Sequence, residues 1–391
     1  EGVQNLKSFF LLKKKNFIKL FISQIYNFIN IYKFRLIHSI KKKEYKNIIV
    51  TWGNYNSFDK KGIYYDKYLS INSNHNRSTF WFVLVDDGMP KKISENIAII
   101  YKKKENFFSK NYFFYYFKKM LNNELFDPDN QIANNILDFL ENNSNFNKIK
   151  NLLMPYEGQV FQKKIFNKIK KKNIETFGFD HSAPHSLPTQ MINTLGSPKN
   201  LIVTGSSTKE TYVKHLNWKM KNILISKPTR YQNFQKKNFS NTMFLPHEFD
   251  NENIILDCFK NFILKNDTYI IDKIKIKIHP IKLNVSSHQR LKKNLELIIK
   301  SQKKKKSNKK KNLTIVVGFT TAVLVALEFD NVVLHICPNP IIDAYLNCLW
   351  KDINVERLDN NSFIYKLKKK NKYLNFKNKN IINKILNNEV Y

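Results

Sequence analysis

The stretch NLLMPYEGQVFQ, residues 151–162, ends an apolar run in one carboxylate, Glu157, followed at once by Gly158 and a helical pattern. Acids are scarce in this chain, 31 Asp and Glu against 67 Lys and Arg, so an acid at a strand end asks for a reason. A carboxylate there can act as a general base if partial burial holds its pKa high enough to accept a proton. Gly158 lets the chain turn sharply and lets a ligand approach. The structural alternative for Glu157 is a helix cap or a lysine partner.

Three further groups stand where strands are expected to end. FDHSAPH (179–185) presents His181 and Ser182, with Asp180 and His185 less favourably placed. An imidazole there can hydrogen-bond a sugar or serve as an acid–base partner, or it is a satisfied loop histidine. His279-Pro280 closes KIKIKIHP: the proline stops the strand and fixes the chain where the imidazole emerges, suited to a phosphate contact. VVGFTTAVLVAL (316–327) runs a strand into Gly318 and then Thr320 and Thr321 at a helix start. Free N–H groups and two hydroxyls make that an anion site, although one Thr would serve as a plain cap. VTGSSTKE (203–210) repeats the design more weakly with Gly205, Ser206 and Ser207, and VDDGMP (85–90) offers Asp86 and Asp87 as an alternative acid. No P-loop, GxGxxG, HExxH, GxSxG or zinc-ligand spacing occurs.

The elements that must hold these residues alternate. NIIVTWG (47–53), TFWFVLVDD (79–87), NIAIIYK (96–102), KIKNLLMPYE, IETFGFDHS (174–182), NLIVTG (200–205), KNILIS (221–226), KIKIKIHP (273–280), NLTIVVG (312–318) and NVVLHIC (331–337) read as strands. Helical patterns lie between them at 113–123, 130–143, from Gln159, 206–216, 286–301 and 319–329. Two blocks of βα alternation, split by a proline-containing segment near 184–198, predict an α/β fold of two doubly wound Rossmann-like domains around a central cleft. The expected divisions are a basic N-terminal segment at 1–45, one domain at 46–198, and a second at 199–391 with a helical C-terminal tail.

With 391 residues and 42% hydrophobic side chains the chain is globular and long enough for two domains. Its formal charge of +36 would suit nucleic acid or an anionic membrane. Lysines outnumber arginines and come with abundant Asn, Ile, Phe and Tyr and only 9 Gly, a composition typical of an AT-rich genome, so the charge is discounted as a nucleic-acid signature. Residues 5–43 contain no acid and place Phe17, Phe21, Tyr26 and Ile29, beside Leu20, Ile25 and Tyr32, at helical spacing. That block reads as an amphipathic helix, on an anionic membrane surface or on the core. Cys258, Cys337 and Cys348 lack metal-ligand spacing and read as reduced core residues of a cytoplasmic protein. No targeting segment is recognisable, and the apolar runs fall short of the ~20 residues of a spanning helix.

Taken together, Tyr156-Glu157-Gly158, His279-Pro280 and Thr320-Thr321 resemble, in order, the acid-acid-Gly, His-Pro and Ser/Thr-pair motifs of bacterial sialyltransferases and polysialyltransferases of GT-B architecture. The texture from about residue 48 to 340, with TWG, STFWFVLVDD and TFGFDHSAPHSLP, is similar to surface-carbohydrate biosynthesis proteins. The sequence departs from the motif in having Tyr156 where the first acid stands, and VDDG matches those letters better. The resemblance implies that Glu157 deprotonates an acceptor hydroxyl and His279 stabilises the departing phosphate, which Thr320 and Thr321 hold. It implies metal-independent, inverting transfer of a CMP-activated sialic acid, Kdo or related nonulosonic acid to a surface glycan. No cofactor is expected beyond the donor, and the location is the cytoplasm, with peripheral contact at the inner membrane through 5–43. A UDP-sugar transferase, a sugar-nucleotide epimerase, a polyol-phosphate transferase and a basic nucleic-acid-binding protein are the competing readings.

Overall fold

The computed structural model describes residues 32–35, 44–85, 88–102, 128–265, 268–301 and 312–387. Apolar runs such as TFWFVLV and NLLMP are what a parallel strand covered on both faces requires, and every residue of each is buried. Ten strands belong to the first half: β1 (Tyr32–Arg35), β2 (Asn47–Gly53), β3 (Tyr65–Asp66), β4 (Ile71–Asn72), β5 (Thr79–Val85), β6 (Ile97–Lys102), β7 (Asn151–Pro155), β8 (Glu175–Phe179), β9 (Asn200–Val203) and β10 (Ile223–Ile225). Eight form one sheet in the order β1-β6-β5-β2-β7-β8-β9-β10, and β3 and β4 form a small hairpin. Every pairing in the large sheet is parallel except that of β1 with β6. Helices α1 (Pro128–Asn142), α2 (Val160–Lys170) and α3 (Ser206–His215) make crossovers.

The second sheet is built from β11 (Thr242–Phe244), β12 (Lys275–Lys277), β13 (Leu313–Val317), β14 (Val332–Ile336), β15 (Ile353–Arg357) and β16 (Ser362–Leu367), in the order β12-β11-β13-β14-β16-β15. The first four strands in that order are parallel, and the β15–β16 hairpin closes the edge antiparallel. Helices α4 (Glu252–Lys265), α5 (Ser286–Ser301), α6 (Ala322–Glu328) and α7 (Pro340–Asp343) connect the strands, and α8 (Ile381–Leu386) ends the described chain. One apolar cluster runs without a break from Ile48, Phe82 and Met154 of the first sheet to Val316, Val333 and Tyr365 of the second. The opposite faces have separate clusters, around Trp81 and Phe179 in one and around Phe259 and Leu295 in the other.

Both sheets reverse their winding once. From β2 the chain moves outward through β5 and β6 and returns to the other side of β2 as β7. In the second sheet it goes from β11 to β12 and then crosses back to β13. Crossovers leave in opposite directions at such a point, so a crevice opens at the carboxyl ends of the strands. Glu157 follows β7, and Gly318 follows β13.

The α/β class agrees with the sequence; the boundaries differ in three places. The break between sheets lies after Ile225, because β9 and β10 pair onto β8, whereas the expected division was at 198/199. The prolines near 184–198 mark a long crossover within one sheet. The tail also docks under the first sheet: the side-chain amides of Asn47 and Asn76 donate to the Leu386 carbonyl at 2.8 and 2.7 Å, and that of Asn151 donates to Ile385 at 3.2 Å. These asparagines, at or near the amino ends of strands, satisfy the last carbonyls of α8. Within the block 5–43, Tyr32–Arg35 is a strand on the edge of β6, not helix; the rest of the block lies outside the described residues, as does 113–123.

Asn47→Ala should therefore lower the unfolding free energy by on the order of 1–3 kcal/mol, since it removes one of the two donors to the Leu386 carbonyl and the acceptor of the buried Asn151 amide. Urea denaturation of the two chains measures it; an unchanged midpoint would mean that α8 is held by its apolar face alone.

Candidate active site

Glu157 leaves β7 through a tight turn. Gly158 has φ +70°, and a Cβ there would lie 2.0 Å from the Gln190 carbonyl oxygen, so only glycine fits. The close approach expected of a ligand at Gly158 is thus made by the chain itself. Gln159 and Gln162 cap α2 reciprocally, and the Gln162 side-chain oxygen also accepts from the Glu157 N–H at 3.0 Å. The helix has no need of the Glu157 carboxylate, which is 46% exposed and receives only the Gln159 amide, at 3.0 Å. Protein on its closed sides removes water and raises its pKa, opposed by the charge of Arg230 and the Gln159 hydrogen bond.

His181 follows β8, the neighbour of β7, and its Nε2 lies 3.6 Å from Glu157 Oε1. The ring is buried against the edge of Tyr68, with centroids 4.5 Å apart. Burial, then the Arg230 charge, push its pKa down to about 3, so the imidazole is neutral at physiological pH and orients Glu157 without forming an ion pair. Asp180 beside it is wholly buried and accepts from the Tyr212 hydroxyl at 2.8 Å. Desolvation, helped by the nearby Glu157 charge, lifts its pKa to about 7. A second full negative charge next to Glu157 is thereby avoided.

Arg230, which the sequence reading passed over, lies beyond β10 in the segment leading to the second sheet. Its Nη1–H donates to Ser182 Oγ at 3.0 Å, and its charge acts on Glu157, His181 and His279 alike. No motif could have revealed it, because it meets those residues only through the fold.

The second sheet delivers its groups at the carboxyl ends of β12, β11 and β13. His279 caps a short 3-10 turn that Pro280 begins, and its ring sits edge-on to His247 with centroids 5.1 Å apart. The strand stops at Lys277, two residues before the imidazole. Desolvation and the surrounding cations lower the His279 pKa, so its resting form is neutral. Gly318 has φ +69° and packs on Pro246, while Thr320 Oγ1 accepts from the Ala322 N–H at 3.2 Å. Thr321 is the residue before α6 and makes no side-chain cap, which leaves its hydroxyl available.

The loops of the two sheets are locked together. His185 stacks on Phe319 at 4.4 Å, and the Tyr345 hydroxyl lies 2.9 Å from the Pro184 carbonyl and 3.2 Å from that of Thr320. Trp350 Nε1 donates to the Ser186 carbonyl at 2.7 Å. The segment 182–186 therefore carries structure from one sheet to the other, beside Ser182 and its arginine.

Two expectations need correction. The Gly205-Ser206-Ser207 helix start is filled by the chain: the Ser207 N–H donates to the Lys372 carbonyl, Ser207 Oγ bonds Asp352, and a Cβ on Gly205 would meet Lys372 and Tyr373 backbone. The Ser207 N–H and hydroxyl thus have partners within the chain, and the Lys372 and Tyr373 backbone covers the turn. Cys348 is exposed rather than core, while Cys258 and Cys337 are buried thiols. Asp86 and Asp87 lie outside the described residues. Among the described residues no group of three or more His, Cys, Asp or Glu is arranged to hold a metal, and no helix is long and apolar enough to cross a membrane. No protein-family model matches the chain, and no curated protein matches it.

The Asp180 carboxyl titrates near 4 when unfolded and near 7 when folded, so between those values the folded chain holds the extra proton. Stability must then fall as pH rises through that window. Asp180→Asn should flatten the decline between pH 5 and 8, by a few kcal/mol at most, read from urea midpoints at both pH values. Identical slopes would show that Asp180 is ionised in the folded chain.

Proposed function

We propose that the chain is an inverting glycosyltransferase of GT-B type that uses a nucleotide-activated sugar, CMP-linked by the motif resemblance, to extend a surface glycan. The observation that carries the reading is the convergence on Arg230 of one general-base candidate from the first sheet and one phosphate-binding candidate from the second. Each lies close to its sheet's winding reversal, where a ligand between two such sheets would bind.

The step balances with the residues present. Glu157, oriented by neutral His181, takes the proton of the acceptor hydroxyl as that oxygen forms a bond to the anomeric carbon. The bond from that carbon to the phosphate oxygen breaks, and its electron pair leaves with the nucleotide. His279 donates a hydrogen bond to the phosphate, and Thr320 and Thr321 add hydroxyls. Burial and then nearby cations hold the His279 pKa down at rest, and an arriving phosphate would raise it and draw a proton onto the ring. Arg230, at the meeting of both walls, offsets negative charge as it develops.

An epimerase reading gains one observation, the acid–base range of Asp180, but that carboxyl is buried and held by Tyr212. It is better explained as support for the floor beneath His181.

Glu157→Gln should reduce transfer on the order of 10²–10⁴-fold while nucleotide affinity stays within about twofold; full activity would remove the proposed base. His279→Ala should weaken binding of CMP in calorimetry. In the unsubstituted chain, binding should take up protons and tighten as pH falls from 8 to 6. Affinity independent of pH, together with an unchanged His279→Ala variant, would take the phosphate away from this residue.

A further inference from the structure

We propose that the outer face of α2 and the loop 192–196 lying along it dock onto an anionic lipid bilayer, with Leu195 entering the lipid and the lysines of α2 resting on the headgroups. This surface is separate from residues 5–43, and the inference does not depend on the transferase reading.

Charge is distributed unevenly along the chain, which a compositional bias alone does not produce. Residues 158–247 hold 15 Lys and Arg against three Asp and Glu, and residues 248–300 hold ten against seven. Of those three acids Asp180 is buried, Glu175 pairs with Lys199, and Glu210 pairs with Lys351. No acid stands between Glu157 and Glu175, and across that interval α2 and its cap expose Val160, Lys168 and Lys171, spaced to share one helix face. Among the described residues neither of these two lysines has a carboxylate partner. The face begins three residues after Glu157, so docking would bring the rim of the candidate site to the membrane.

Beside that face stands Leu195, 81% exposed, in a loop that is tied down on both sides of it. The Leu195 carbonyl accepts from Lys170 Nζ at 3.4 Å, and a Cβ on Gly196 would lie 2.8 Å from the Lys163 carbonyl oxygen, so the loop is pressed against α2. The Asn193 N–H donates to the Leu216 carbonyl at 2.9 Å, and its side-chain amide donates to that of Asn217 at 3.0 Å. The Thr194 N–H donates to the buried Ser197 hydroxyl at 2.8 Å. An anchored loop thus holds a leucine out to water. Ile192 of the same loop is exposed as well, and the chain running on from Asn217 exposes Met220 between Lys219 and Lys221. Exposed apolar side chains set among lysines complement an anionic bilayer, whose interior takes the former and whose headgroups take the latter. A nucleic acid would engage the lysines and leave Leu195 in water.

The test attaches an environment-sensitive fluorophore to the full chain at Leu195→Cys, with Cys348→Ser to remove the exposed thiol; Cys258 and Cys337 are buried. Vesicles of phosphatidylglycerol should shift its emission to the blue, and vesicles of phosphatidylcholine should leave it unchanged. The same label at Leu264→Cys, exposed on α4 of the second sheet, should not shift. In vesicle flotation Lys168→Gln with Lys171→Gln should weaken partition by about 10- to 30-fold, and Leu195→Ser by about 10-fold. Unchanged urea midpoints report that these surface variants are folded. Vesicle binding without a shift at position 195 would place the contact elsewhere, residues 5–43 included, and overturn the proposal. So would equal shifts at 195 and 264, equal response to both lipids, unweakened partition of the variants, or no vesicle binding at all. An oligonucleotide bound through Lys168 and Lys171, with no vesicle binding, would give the face to nucleic acid instead. The transferase reading stands or falls separately, on its own variants.

Discussion

Four successive backbone N–H groups, those of Asn371, Lys372, Tyr373 and Leu374, converge on the carboxylate of Glu328. Glu328 ends α6 and is buried, a costly place for a negative charge, since desolvation and the negative end of a helix both oppose it. Desolvation raises its pKa, and the four hydrogen bonds are what oppose that rise. The carboxylate bends the returning chain so that Lys372 and Tyr373 present carbonyls to Ser207 and Thr204 at the start of α3. From there the chain runs to α8 and the asparagines under the first sheet. One buried acid on the second sheet thus sets a path of the chain that ties it to the first.

The same economy of charge governs the candidate site. Within the wall built by β7 and β8, Glu157 is the carboxylate with open surface; Asp180 holds a proton up to about neutral pH, and His181 is kept neutral by burial. On the second sheet, burial and then the neighbouring charges hold the His279 pKa below its ordinary value. On the first-sheet side the candidate site therefore presents Glu157 as an exposed anion and Arg230 as an exposed cation, with no ion pair at contact distance between them. In a medium less polar than water, such an arrangement favours a ligand that brings a proton to donate and an anion to place.

Rigidity around the site comes from aromatic and backbone contacts. The stack of His185 on Phe319 and the span of Tyr345 between the Pro184 and Thr320 carbonyls fix the two loop systems against each other. His335, buried beneath, bonds the Gly318 carbonyl at 2.9 Å and supports the left-handed turn there. A site whose walls come from different sheets needs such cross-links, because a displacement of one ångström changes what a proton acceptor can reach.

The alternation of strands and helices from β2 to β9 and from β12 to β14, its apolar patterning, and the standing of Glu157, His181 and His279 beyond strand ends were legible in the residues, because hydrophobic period and Gly or Pro breaks are local properties. The strand Thr242–Phe244 is three residues long, too short to signal by period, and its place between Lys275–Lys277 and Leu313–Val317 becomes visible only through pairing. The proline-rich loop looked like a domain boundary, since composition cannot tell a long crossover from a linker. Ser206 and Ser207 looked like an open anion site, because nothing local shows that a segment 165 residues later fills it. Arg230 carried no signal at all. Its meaning is a matter of distance to Ser182, Glu157 and His279, which are far apart along the chain, and only the tertiary structure decides such distances.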